Sequence, residues 1–169
     1  MKVLQVYGVN PMDVSEMIDG AETTDVRVED VMGVDEHYDI VFCWHALQVM
    51  QGNVAPAIVQ KMVDLLNIHG ELWLIVPDFE WVAQQMASNN PSPVTMQVLF
   101  GDDTIQYRST YTLAFLRALV EECKGMITRT ATHDVYALTV TGDRKVQVVQ
   151  NRVIALKVTD DDTADNAIS

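Results

Sequence analysis

The chain has few of the residues that hold small secreted folds together. Its 169 residues include two cysteines, Cys43 and Cys123, too few for a disulfide framework. They lie far apart in apolar contexts and read as buried thiols in a reducing cytoplasm rather than as a disulfide or metal pair. Basic residues are also scarce, with 11 Lys and Arg against 24 Asp and Glu and a net charge of −13. Four of the acids, Asp160, Asp161, Asp162 and Asp165, sit at the C-terminal end, and the body without them is still strongly acidic. Such a body repels phosphate backbones, and no Lys/Arg stripe offsets it, which argues against a nucleic-acid or anionic-membrane partner. Apolar runs are short, far below the ~20 residues of a membrane span. The opening Met1-Lys2-Val3-Leu4-Gln5-Val6 turns polar at once and has no cleavage-site pattern, so it is not read as a signal peptide. There are 8 glycines and 5 prolines, which excludes a collagen, and no internal repeat is visible.

What remains is ordinary for a globular protein: 49% hydrophobic and 21% charged residues, within the usual range. The length suits one domain of roughly 100–200 residues, able to bury about 70% of the surface its unfolded chain exposes. The expectation is a single α/β domain over residues 1–159, followed by a disordered acidic tail, 160–169, that has neither apolar content nor period.

The patterning supplies the elements. Residues 3–7 read as an opening strand that ends at Gly8, and 11–18 as a short helix with Pro11 in its first turn. Residues 24–28 alternate like a strand. Residues 39–44 form a continuous apolar run, the mark of a strand covered on both faces. The clearest helix spans 54–68, with Asn53 as cap and Ile58, Met62, Leu65 and Leu66 on one stripe. Gly70 is expected to stop it in a left-handed conformation. Residues 71–76 read as another buried strand, 79–87 as a helix, 91–93 as a loop and 94–100 as a short apolar segment. Residues 111–123 form a second strong helix, capped by Ser109 or Thr110. A strand is expected around 135–139, a turn at 141–143 and a long half-exposed strand at 145–158. Strands alternating with helices imply a mostly parallel sheet of about six strands with helices on both faces, three layers in all, closed by a C-terminal antiparallel hairpin. In such sheets ligands bind beyond the carboxyl ends of the strands, where strand order reverses.

The middle of the chain resembles a known family. Tyr38-Asp39-Ile40-Val41-Phe42-Cys43-Trp44-His45-Ala46-Leu47 looks like the fourth-strand motif of Rossmann-type S-adenosylmethionine-dependent methyltransferases of the type 11 kind. In those proteins a Phe/Tyr-Asp pair starts the strand and a Ser-His-Val-Leu-Glu-His-like segment follows it. The segment Asn67-Ile68-His69-Gly70-Glu71-Leu72 resembles the family's turn into the fifth strand, and Val76-Pro77-Asp78 a subgroup's end to that strand. Phe100-Gly101 and an aromatic-rich helix start at 107–115 follow in the subgroup's order. The resemblance covers roughly residues 38–125. It implies a Rossmann-like fold with strand order 2-1-3-4-6-5, S-adenosylmethionine as cofactor, no metal, and a small-molecule acceptor. It departs from the family at the start: one glycine, Gly8, stands where the family has Gly-x-Gly. Only about 30 residues separate Gly8 from Tyr38, too few for the usual two strands and two helices, so the cofactor-binding half is expected to be shortened. Asp13, Asp19 and Asp25 are weak candidates for the acid that holds the cofactor ribose.

Each candidate site residue has two readings. Gly8, after Tyr7, is a cofactor-loop glycine or an ordinary strand-end turn. Asp30 contacts the adenine or is a solvated acid. Trp44 stacks on adenine or walls the pocket, or packs in the core; His45 acts as a base or orients a substrate, or caps the next segment. Asp78 faces an acceptor or caps the helix after it. Arg108 and Tyr111 line an acceptor pocket, or are a surface cation and a core aromatic. A branched side chain at Gly8 is expected to block the cofactor and leave the fold largely intact. His37, His69 and His133 read as surface residues, and no His, Cys and acid spacing resembles a metal site. The competing function is a non-catalytic domain of the same descent that serves as a binding or assembly module with a protein partner.

Overall fold

The computed structural model describes residues 1–88, 92–101, 106–140 and 144–159; the expected turn at 141–143, the tail 160–169 and Pro91 lie outside them. Six strands form one sheet: β1 (Lys2–Tyr7), β2 (Glu22–Arg27), β3 (Tyr38–Trp44), β4 (Leu66–Pro77), β5 (Met126–Val140) and β6 (Arg144–Lys157). Four helices accompany them: α1 (Ala55–Asp64), α2 (Phe79–Ala87), α3 (Pro93–Phe100) and α4 (Leu113–Glu121). The strand order is β2-β1-β3-β4-β6-β5, as expected. β2, β1, β3 and β4 run parallel, and β6 is antiparallel to both β4 and β5.

Alternation along the central strands divides the interior into two faces. Leu4 and Val6 of β1, Val41 and Cys43 of β3, and Leu72, Leu74 and Val76 of β4 pack on one face with Ile58, Val59 and Met62 of α1 and Leu116, Leu119 and Val120 of α4. Val3, Ile40, Phe42 and Ile75 point the other way and meet Val14 and Ile18. That second outer layer is thin. The helix expected over 11–18 is a single 3₁₀ turn, Val14–Glu16, because the Asp13 carboxylate takes the Ser15 N–H at 3.0 Å and fixes a local turn. Between β1 and β3 there are one strand and two 3₁₀ turns, the second at Val28–Gly33, and no α-helix.

Helix α1 ends four residues before its expected end. Val54 stands at its N-cap, with no side-chain cap from Asn53. Leu66 already pairs with Tyr38 at the start of β4, and the register shifts before Ile40 meets Glu71. The left-handed residue there is His69, φ 63°, not Gly70. Gly70 is required for a different reason: a Cβ on it would stand 2.9 Å from the carbonyl oxygens of both Asn67 and Asp39. At the second strong helix, Thr112 caps α4 by accepting from Phe115 N, in place of Ser109 or Thr110. Both cysteines are buried free thiols; burial pushes Cys43 up to about 12. Among the described residues no helix is long and apolar enough to cross a membrane.

Candidate functional site

β2 and β3 flank β1 on opposite sides, so the chain leaves the sheet in two directions at the carboxyl end of β1, where a crevice opens. An open cleft of about 470 Å³ lies there, within the usual range for ligand sites. Gly8, at the end of β1, lines it with Arg27 from the end of β2, Glu29 from the 3₁₀ turn Val28–Gly33, Val49 and Met50 from the turn after β3, and Arg108. Arg27 Nε lies 3.4 Å from Glu29 Oε2 on the exposed rim.

A second, much smaller pocket of about 10 Å³ is lined by Gln48, Asp78, Phe79, Leu99 and Tyr111, among others. That volume holds about one water. The two chambers share a wall. The 3₁₀ turn Leu47–Val49 puts Gln48 in the smaller pocket and Val49 in the open cleft. The strand-like segment crossing it does the same with Ser109 and Arg108. Arg108 N and Ser109 N both donate to the Gln48 carbonyl, at 2.7 and 3.2 Å. Ser109 Oγ lies 2.9 Å from the Met50 carbonyl oxygen and 3.0 Å from the Tyr111 hydroxyl, which donates to Leu47 O at 3.3 Å. Tyr111 is buried, and burial holds its hydroxyl above the ordinary tyrosine range, so it stays protonated.

The other predicted residues are distributed differently. Tyr7 is half-buried and pairs with Arg27 and Trp44 across the sheet; it lines neither chamber. Asp30 is exposed in the Val28–Gly33 turn, and it is Glu29 that reaches the cleft. Trp44 stacks on the His45 imidazole, centroids 4.3 Å apart and 4° from parallel, with Tyr136 edge-on to both rings. Its carboxyl-end position is the one expected, but one face of the indole is covered by His45. Asp78 is buried and caps α2 by accepting from Glu80 N at 2.8 Å, while also lining the smaller pocket. The cap is the reading that this geometry supports.

His45 adopts φ 44°, a left-handed conformation for a non-glycine residue. Burial pulls its imidazole from the ordinary 6.5 down to about 4, opposed only by the Gln150 side chain 3.3 Å from Nε2. A base that weak takes up a proton poorly near neutrality. Below about pH 6.5 the unfolded chain protonates His45 while the folded chain does not. Stability therefore falls as the pH drops from about 6.5 to about 4, and this group adds no slope above that window. Full burial would make the loss roughly 3 kcal/mol; for a ring that is only half-buried we expect about 1–2 kcal/mol. His45→Asn keeps a residue tolerant of positive φ and should flatten that part of a melting-temperature profile. An unchanged slope in the variant would assign the loss to other groups.

Three residues escaped the sequence reading. Glu29 sits beside Asp30 in the same Val28–Gly33 turn, and only the fold shows that Glu29 is the one lining the cleft. Gln48 is 2% exposed and neither polar atom of its side chain has a partner. His133 is exposed, as expected, but its Nδ1 also lies 3.0 Å from Asp78 Oδ2, a contact the sequence did not show. Gln48 and His133 are brought to Asp78 by pairings across more than 25 residues, which leave no mark on local spacing.

No protein-family model matches the chain, and no curated protein does. Solved structures do. A protein whose structure concerns conversion of a disulfide bond into a thioacetal group during echinomycin biosynthesis aligns over 99% of this chain and 80% of its own, with TM-score 0.61 and 13% identity. A SAM-dependent methyltransferase from Methanosarcina mazei aligns over 94% and 93%, with TM-score 0.56 and 14% identity. One from Archaeoglobus fulgidus aligns over 92% and 86%, with TM-score 0.55 and 12% identity. The chain has the Rossmann-like fold of S-adenosylmethionine-dependent methyltransferases. At 10–15% identity this likeness concerns the fold.

Proposed function

We propose that this protein binds S-adenosylmethionine in the open cleft and transfers its methyl group to a small molecule that enters through the same cleft. The observation that carries the reading is the open cleft of about 470 Å³ at the carboxyl end of β1, where strand order reverses. The residues present fit the cofactor. Glu29 stands two residues past β2, close to the strand end where the resembling family keeps the acid for the ribose hydroxyls. Arg108, exposed on the cleft, offers a guanidinium fork to a carboxylate, and Val49 and Met50 supply an apolar wall. When bound, the cofactor supplies an activated methyl on a sulfonium, open to in-line displacement. The chain's own task is to position the acceptor and exclude water. The apolar wall of Val49 and Met50 serves the second part. With its buried thiols and no described helix fit to cross a membrane, the protein is proposed to work in the cytoplasm as one domain, without a nucleic-acid partner.

The alternative of a non-catalytic binding or assembly module is favoured by one observation. The Gly8 requirement is met by packing, since a Cβ there would strike the His45 carbonyl oxygen at 2.5 Å. Calorimetric titration with S-adenosylhomocysteine separates the two. The expected dissociation constant is below about 100 μM, more than roughly 5 kcal/mol of binding. Glu29→Gln should weaken it by about 1 kcal/mol or more, by loss of a charged acceptor, and Asp30→Asn should leave it unchanged. No heat at millimolar ligand would favour the module.

A further inference from the structure

Asp78, Glu80 and His133 each place one possible ligand atom within 4.8 Å of the other two. They come from three elements: the residue after β4, the first turn of α2, and the middle of β5. The Asp78 backbone is pinned, because its N–H donates to the Val149 carbonyl at 3.0 Å and it forms a bridge with Tyr111. Its Oδ1 takes the Glu80 N–H at 2.8 Å, and its Oδ2 lies 3.0 Å from His133 Nδ1. Asp78 is 3% exposed, whereas Glu80 and His133 are open to solvent, so the cluster has a rigid floor and an entry path. Asn151, wholly buried, supports the floor: its Nδ2 donates to the Tyr111 carbonyl at 3.0 Å and lies 3.5 Å from Asp78 Oδ1. Its own Oδ1 has no partner.

We propose that Asp78, Glu80 and His133 bind a divalent cation of the Zn²⁺ class, with water completing the coordination. One imidazole nitrogen and two carboxylate oxygens suit a borderline ion better than Mg²⁺ or Ca²⁺, which take oxygen ligands almost exclusively. The positive end of α2 opposes a cation, but Asp78 Oδ1 already accepts from that end and leaves Oδ2 for the ion. The site adjoins the smaller pocket through Asp78. It does not depend on cofactor binding.

The test is calorimetric titration of the tag-free, chelator-stripped full chain with zinc chloride and, separately, magnesium chloride. We expect one saturable Zn²⁺ site with a dissociation constant below about 10 μM and no saturable Mg²⁺ binding in the same range. Glu80→Gln and His133→Ala alter exposed side chains, and circular dichroism should find both folded. Each should weaken Zn²⁺ by at least about tenfold. His37→Ala, at an exposed position outside the cluster, should bind like the wild type. Absence of a saturable Zn²⁺ site would overturn the proposal. So would unchanged affinity in the folded Glu80→Gln and His133→Ala variants, which would mean that the ion collects on the acidic surface at large.

Discussion

Leu65→Ala is expected to lower the free energy of unfolding by about 2–5 kcal/mol, the usual cost of emptying a leucine site in a core that relaxes only in part. Leu65 is the residue that ends α1, at φ −75° and ψ −8°. It is 2% exposed and packs in the larger apolar cluster, on the α1 and α4 face of the sheet. Its carbonyl also accepts from Tyr38 N at 2.9 Å, which ties the end of α1 to the start of β3. That bond belongs to the backbone and survives the substitution, so the loss should be one of packing alone. Denaturant unfolding measures it: the midpoint should fall with an unchanged slope. A loss below about 1 kcal/mol would show that neighbours fill the space, and Leu65 would then be a weaker link between helix and sheet than its burial implies.

Leu65 also shows where the sequence could be read and where it could not. The stripe Ile58, Met62, Leu65 placed α1 on the correct face, because a 3.6-residue period is a local property of the chain. The period did not show that Leu66 leaves the helix and pairs with Tyr38, since an apolar residue suits a buried helix end and a buried strand equally well. The same limit explains Gly70. Its need for glycine comes from two carbonyl oxygens, one of them on Asp39 in the neighbouring strand, so the turn signal was real and its cause was tertiary. β1, β3 and β4 were legible as continuous apolar runs, and the strand order followed from the resemblance together with the terminal hairpin. The 3₁₀ turn at Val14–Glu16 was not legible, because one Asx hydrogen bond outweighed a weak helical period.

The candidate site was legible as a location more than as a set of side chains. The rule that ligands gather where strand order reverses selected the ends of β1 and β3; Gly8 and Arg108 do line the open cleft there, while Asp78 and Tyr111 line the smaller pocket beyond the end of β4. Trp44 and His45 lie at the same level, but their rings stack on each other and meet Tyr136. Which way a side chain at a strand end turns depends on neighbours such as Gln150, which pairs with β4 only after the chain has returned through α4 and β5.

Gly8→Val is expected to destabilise the fold by about 3 kcal/mol or more, at the upper end of overpacking costs, and to abolish cofactor binding with it. This corrects the expectation that a branched side chain there would spare the fold. A Cβ at Gly8 would lie 2.5 Å from the His45 carbonyl oxygen, 3.1 Å from Ala46 Cα and 3.1 Å from Val49 Cγ1. The first two contacts are with backbone. His45 N is bonded to Ile75 O at 2.9 Å, and its φ of 44° leaves a non-glycine residue little room to rotate. Gly8 is not among the residues with positive φ, so its requirement is for space rather than conformation. Gly8→Ala carries the same first contact without the branch and should cost about 1–3 kcal/mol. Thermal melts of the two variants should therefore rank wild type above alanine above valine. Equal melting temperatures would show that the turn after β3 yields to the new atom. Val49 lines the open cleft and is also struck by the added Cβ, so a displaced turn changes the cleft's wall as well as the core. Loss of S-adenosylhomocysteine binding in Gly8→Val would then have two causes that the variant cannot separate. Glu29→Gln, which removes one charge on an exposed rim, is the substitution whose effect on binding can be read without an accompanying loss of fold.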